Sequence, residues 1–180
     1  MVGILLPALI VSAALCLSGA PAFTEPAAES ILEWSCLSAG GFGDSRNIGC
    51  LGMSVKDGRL FFGTWAKTIG ASIMRYDGSG FITLASSGFG DPLTYAAGTI
   101  VHNDAVYAGT FNPLAGCGVW RHDGGVKWTQ VAQGGFGDKL NYGTFGAASF
   151  NGSLYVGTEN RHTGGEVWRY EGGTSWTRVD

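Results

Sequence analysis

The stretch that decides the fold spans residues 135–180 and reads GFGDKLNYGTFGAASFNGSLYVGTENRHTGGEVWRYEGGTSWTRVD. It opens on Gly135-Phe136-Gly137-Asp138, and the same four residues stand at Gly41–Asp44 and Gly88–Asp91, each 47 residues from the next. Other landmarks keep step. Gly-Thr recurs at Gly63-Thr64, Gly109-Thr110 and Gly157-Thr158. An apolar pair followed by arginine recurs at Ile73-Met74-Arg75, Val119-Trp120-Arg121 and Val167-Trp168-Arg169. An aromatic (Trp34, Phe81, Trp128) stands eight residues before each loop phenylalanine. A fixed period of this length marks an architecture built by stacking one supersecondary unit.

Each unit divides into four short β-like runs. In the third they are Phe145–Phe150, Ser153–Thr158, Gly165–Tyr170 and Ser175–Val179. Asn151-Gly152 is a hairpin signal, because both residues tolerate positive φ, and Asp57-Gly58 and Asn103-Asp104 fill that turn elsewhere. Glu171-Gly172-Gly173 closes the next hairpin, matched by Asp77-Gly78 and Asp123-Gly124-Gly125. Four strands in about 40 to 50 residues is the pattern of a propeller blade. The prediction is an all-β fold of four-stranded antiparallel blades at 41–87, 88–134 and 135–180. Trp34–Leu37 aligns with Trp128–Val131, so it reads as one extra strand ahead of three complete repeats, within a β-propeller region of 34–180. Propellers close with about four to eight blades. Three predict an incomplete propeller, either a truncated frame or a homo-oligomer whose copies complete the ring. Small residues (Gly52, Gly98, Thr99, Gly146, Ala147, Ala148) suit a crowded first strand, and Tyr107, Tyr155, Trp120, Trp168, Trp128 and Trp176 read as core between sheets.

Several families share parts of this pattern. Asn151-Gly152-Ser153-Leu154-Tyr155-Val156-Gly157, followed by Tyr170 and Trp176, resembles the kelch repeat, with Gly157-Thr158 in place of its Gly-Gly doublet. Asp123-Gly124-Gly125-Val126-Lys127-Trp128 resembles the Asp-box turn of sialidase-type propellers, although Arg121 stands where that motif has Ser or Thr. The 47-residue period with a Gly-Gly-aromatic loop is similar to tachylectin-type sugar-binding propellers. These likenesses imply a propeller over 34–180 and transfer no catalytic or ligand residue.

Composition narrows the partners. Net charge is −3 and charged residues make up 14%, against about 25% in ordinary soluble domains. No basic footprint for nucleic acid or anionic lipid is present. Met1–Leu17 is nearly all apolar, and Ala20-Pro21-Ala22 supplies a signal-peptidase pattern. Residues 1–22 are expected to be a signal peptide and 23–33 a linker, giving a secreted or periplasmic protein with no membrane attachment after cleavage. Cys16 would leave with the signal; Cys36 and Cys50 flank the first loop and are candidates to pair, leaving Cys117 free or partnered outside the chain. No Cys/His cluster predicts a metal site, and no cofactor is implied.

Variable loops on a repeated scaffold are where ligand contacts arise. The Gly-Phe-Gly-Asp loops share one face with Trp65–Gly70, Phe111–Gly116 and Glu159–Gly164, so the candidate ligand-binding residues are Asp44, Asp91, Asp138, Trp65, Asn112, Glu159, Asn160 and Arg161. The three aspartates read either as acceptors for a cation or sugar hydroxyls, or as loop-fixing acceptors of backbone hydrogen bonds. The second reading is preferred, since every unit needs the same residue. Arg75, Arg121 and Arg169 read as ties between strands, reaching the loop aspartates. His102, His122 and His162 are scattered, no catalytic motif is present, and only Glu159 and Glu166 offer a carboxylate pair of the kind a glycosidase uses. The expectation is a non-enzymatic extracellular binding module for carbohydrate or another surface ligand. The alternative is a fragment of a larger propeller hydrolase, sialidase- or glycosidase-like, with its catalytic residues elsewhere.

Overall fold

The computed structural model describes residues 34–179; the signal and linker assignments at 1–33 lie outside them. Cys36–Asp180 is one compact unit. It is all-β. Twelve antiparallel strands fall into three meanders, each made by hairpins between sequential strands. The first holds β1 (Gly49–Lys56), β2 (Arg59–Trp65), β3 (Ile73–Tyr76) and β4 (Phe81–Ala85). The second holds β5 (Ala96–His102), β6 (Ala105–Phe111), β7 (Val119–Gly124) and β8 (Lys127–Ala132). The third holds β9 (Gly143–Phe150), β10 (Ser153–Glu159), β11 (Val167–Gly172) and β12 (Ser175–Val179). Consecutive meanders meet through single backbone bridges, Trp65 with Ala96 and Phe111 with Gly143, and the sheet as a whole does not close.

The turn residues explain the hairpins. Asp57, Asn103, Asp104 and Asn151 all take positive φ, which short polar side chains tolerate by bonding locally. First strands differ in register. Gly52 is an extra residue in β1 and Phe145 an extra residue in β9, whereas β5 runs without a bulge. Such bulges bend a strand and increase its local twist.

Two apolar layers hold the meanders together. Between the first and second lie Phe61, Ile73, Leu84, Ala97, Val106 and Ala108, with Trp120 and Trp128 packed on them. Between the second and third lie Tyr107, Val119, Val131, Leu154 and Val156, with Trp168 and Trp176. Each buried Val, Leu or Ile contributes about 1.5–3 kcal/mol. The outer tryptophans also cross the layers: Trp128 Nε1 donates to the Leu84 carbonyl at 3.2 Å and Trp176 Nε1 to that of Val131 at 2.9 Å. Of the rings expected in the core, Tyr107 is buried and the four tryptophans are half-buried against these layers, whereas Tyr155 lies outside both.

Three expectations are corrected. Trp34–Leu37 is not a strand, and Trp34 is 100% exposed. A strand persists only where its N–H and C=O groups find a ladder, and these residues have none. Cys36 and Cys50 are both free thiols, and Cys36 Sγ turns to the Ser38 carbonyl of its own loop. Arg121 and Arg169 do not reach the loop aspartates. They pair with Asp123 and Glu171 two residues on, since alternate residues of a strand share one face.

Candidate functional site

The Gly-Phe-Gly-Asp loops begin from a strained backbone. Phe42, Phe89 and Phe136 have φ of 60°, 62° and 61°, a region that costs a bulky residue about 1–2 kcal/mol. Aromatic packing offsets that cost. The Phe89 ring stacks on Trp120 at 4.6 Å and meets Trp128 edge-on, and Phe136 does the same with Trp168 and Trp176. In the first unit Phe42 lies against Phe62 and Phe81. Each loop is thus pinned to strands of its own meander, β2 and β4 in the first and the two outer strands in the others.

Backbone bonds then staple each loop to the preceding meander. Gly88 N–H donates to the Ala71 carbonyl and Ala71 N–H to that of Thr94, and Gly135, Cys117 and Asn141 repeat the arrangement. Gly70 and Gly116 permit this approach: a Cβ on Gly70 would sit 2.6 Å from the Gly88 nitrogen, and one on Gly116 2.8 Å from that of Gly135.

The candidate aspartates fall into two kinds. Asp91 accepts from Leu93 N–H at 3.0 Å through one oxygen and from Asn112 Nδ2 at 2.8 Å through the other. Asp138 does the same with Leu140 N–H and Asn160 Nδ2. Asn112 and Asn160 are buried, and their own carbonyls cap the next turns by accepting from Leu114 and Ala115, and from His162 and Thr163. The first unit has Ala66 where the others have these asparagines. There Asp44 takes Arg46 instead, in a bidentate contact with Oδ2–Nη2 at 2.6 Å, and the guanidinium holds its carboxyl down at about 2. Arg46 stands where the other loops have Leu93 and Leu140.

The remaining candidates are separate from these locks. Glu159 pairs with Arg161 at 2.7 Å. Trp65 is exposed with the Lys67 ammonium 5.7 Å from its ring. Glu166 is tied down: Asn141 Nδ2 and Trp168 Nε1 donate to one carboxylate oxygen at 2.8 and 2.9 Å, and Arg178 reaches the other at 3.3 Å. Among the described residues, no group of three or more His, Cys, Asp or Glu side chains is placed to hold a metal ion.

What the loop face offers is a cleft between consecutive Gly-Phe-Gly-Asp loops. In the second unit it has a volume of about 610 Å³ and is lined by Asp91, Asn112, Gly118, Trp120, Gln130 and Lys139, among others. In the first it is smaller, about 380 Å³, with Asp44, Ser72, Met74 and Thr83 at the places of Asp91, Gly118, Trp120 and Gln130. The sequence reading missed Trp120, Gln130 and Lys139 as cleft residues. Their signal was a repeat position that changes size sharply beside them, Ser72, Gly118 and Glu166.

No protein-family model, curated protein or solved structure matches the chain.

Proposed function

We propose that the three meanders are β-propeller blades of an exported, non-enzymatic recognition module that binds saccharides in the clefts of its loop face. The observation that carries this reading is the recurrence of one open cleft at the same place in two units, walled by Trp120 or Met74 and edged by polar side chains. Flat apolar surface beside fixed donors and acceptors suits sugar rings, whose faces are apolar and whose rims are hydroxylated. The acidic groups nearby are committed to loop partners, Asp91 to Asn112, Asp138 to Asn160 and Glu159 to Arg161. Repeated shallow sites gain by avidity.

The blade assignment draws support from the flanks. Val119 and Val131 are each 1% exposed beneath the third meander, whereas their counterparts Val167 and Val179 are 45% and 42% exposed. Phe150 is also exposed on the third meander, and Met53 and Val55 are exposed on the first. One flank carries the chemistry of a layer's lower half and the other that of its upper half. Such surfaces associate head to tail, in a ring or an open array.

Two measurements test the reading. Residues 23–180 are screened against a panel of neutral and acidic glycans, with turnover of aryl glycosides followed in parallel. Binding without turnover is expected; turnover that survives purification to constant specific activity refutes the non-enzymatic assignment. Light scattering after size-exclusion chromatography should report a multiple of the monomer mass, reduced to the monomer by Val167→Lys with Val179→Lys. A folded monomer at all concentrations refutes the head-to-tail surface.

A further inference from the structure

The geometry points to a carboxylate-binding subsite in the second unit's cleft, which recognises the acid group of a uronic-acid saccharide; this rests on the saccharide-binding reading above. The third unit shows what the position accepts. There the Glu166 carboxylate lies against Trp168 Nε1 and Asn141 Nδ2, with the Arg178 guanidinium as counter-charge. In the second unit the same position is Gly118, which has no side chain, and the cleft is open.

Of the groups that hold the Glu166 carboxylate, Trp168 and Arg178 have Trp120 and Gln130 at their places around this opening, and Thr94 stands in place of Asn141. Trp120 stacks on Phe89 with a 5° interplanar angle, as Trp168 stacks on Phe136 at 13°, so the two indoles hold the same place in their units. Gln130 stands where Arg178 stands, opposite the tryptophan on the neighbouring strand. Lys139, from the following loop, lines the cleft and makes no ion pair among the described residues, so it can supply the positive charge. Trp120 Nε1 and the Gln130 amide donate to no described group. Lys139, Gln130 and Trp120 thus line a gap that an internal carboxylate fills one unit later. Hydrogen bonds to an ionised acceptor are about twice as strong as neutral ones, which selects an acid over its ester. The first unit lacks the set, having Met74 and Thr83 where the indole and the amide stand, with Thr83 Oγ1 turned to the Met74 sulfur at 3.4 Å.

The test is calorimetric titration of the full exported chain with trigalacturonate and with its methyl ester. The acid is expected to bind at least tenfold more tightly than the ester, at one site per chain. Trp120→Phe keeps an aromatic ring against Phe89 and removes the indole N–H, and Lys139→Gln removes the charge; each should cut the preference for acid over ester severalfold, with a cooperative unfolding transition showing that both variants are folded. Gly118→Glu with Gln130→Arg transplants the third unit's internal carboxylate and should abolish uronate binding. Equal binding of acid and ester, or a preference untouched by Trp120→Phe and Lys139→Gln, overturns the subsite. If neutral glycans bind and trigalacturonate does not, the subsite fails alone; if no member of the panel binds, the saccharide reading fails with it.

Discussion

Replacing Asn112 by alanine removes the lock between the second unit's two loops, and the cost follows from its contacts. The side chain is 3% exposed and makes four hydrogen bonds: to Asp91 at 2.8 Å, to Thr94 at 3.2 Å, and from Leu114 and Ala115 N–H at 3.0 and 2.8 Å. The bond to the charged Asp91 contributes about 1.5–3 kcal/mol and each neutral bond about 0.5–1.5. Leu114 and Ala115 are exposed, so water takes over their N–H groups and offsets part of the loss. The net destabilisation should be about 2–3 kcal/mol. The first unit already contains the remedy, because Ala66 there coexists with an Asp44–Arg46 pair. Adding Leu93→Arg to Asn112→Ala should therefore recover about 0.2–1 kcal/mol, the range of an exposed ion pair, while Leu93→Arg alone is close to neutral. Urea unfolding followed by tryptophan fluorescence measures all four proteins with a common m-value. A cost below about 0.5 kcal/mol for Asn112→Ala, or a double variant no more stable than the single one, refutes the structural role assigned to the Asp–Asn lock.

Other outcomes follow from the same structure. His102 is buried with Nδ1 2.8 Å from Ser149 Oγ, and burial holds its pKa below the usual histidine value. The folded state therefore binds this proton less readily than the unfolded chain, and the stability it contributes is lost as pH falls below about 6.5 toward the lowered value. His102→Gln should flatten that part of the pH–stability profile; an unchanged slope refutes it. Cys117 is fully buried and its thiol is pushed up to about 12, whereas Cys36 is exposed. A water-soluble disulfide reagent at pH 8 should modify Cys36 within minutes and leave Cys117 intact until unfolding, as peptide mapping would report. Gly116→Ala places a methyl group 2.8 Å from the Gly135 nitrogen at a φ of +80°, and should lower stability by about 1–3 kcal/mol. The midpoint of urea unfolding checks this, and an unshifted midpoint contradicts the close approach of the two loops.

Much of the fold was legible because its determinants are local. Asn151-Gly152, Asp57-Gly58 and Asn103-Asp104 announce hairpins by what their own backbones tolerate, and all three turns join the strands expected of them. The 47-residue spacing announces recurring units, and alternation within each run announces strands. The preference for loop-fixing aspartates was also reachable, since a short carboxylate beside glycines bonds nearby N–H groups wherever the chain turns. Trp34–Leu37 shows where local reading fails: its residues match Trp128–Val131 in type, but a strand is a property of two chains' worth of hydrogen bonds, and the second is absent. Tertiary structure alone decided which groups meet across sequence distance. It set Asn112 on Asp91 over 21 residues, turned Arg121 and Arg169 to their own hairpins, and half-buried Trp128 and Trp176 with their N–H groups aimed at the preceding meander. It also decided that Glu166 fills a space that Gly118 leaves open. Periodicity sets where a side chain leaves the backbone, whereas the packing of one sheet on the next sets what it finds there.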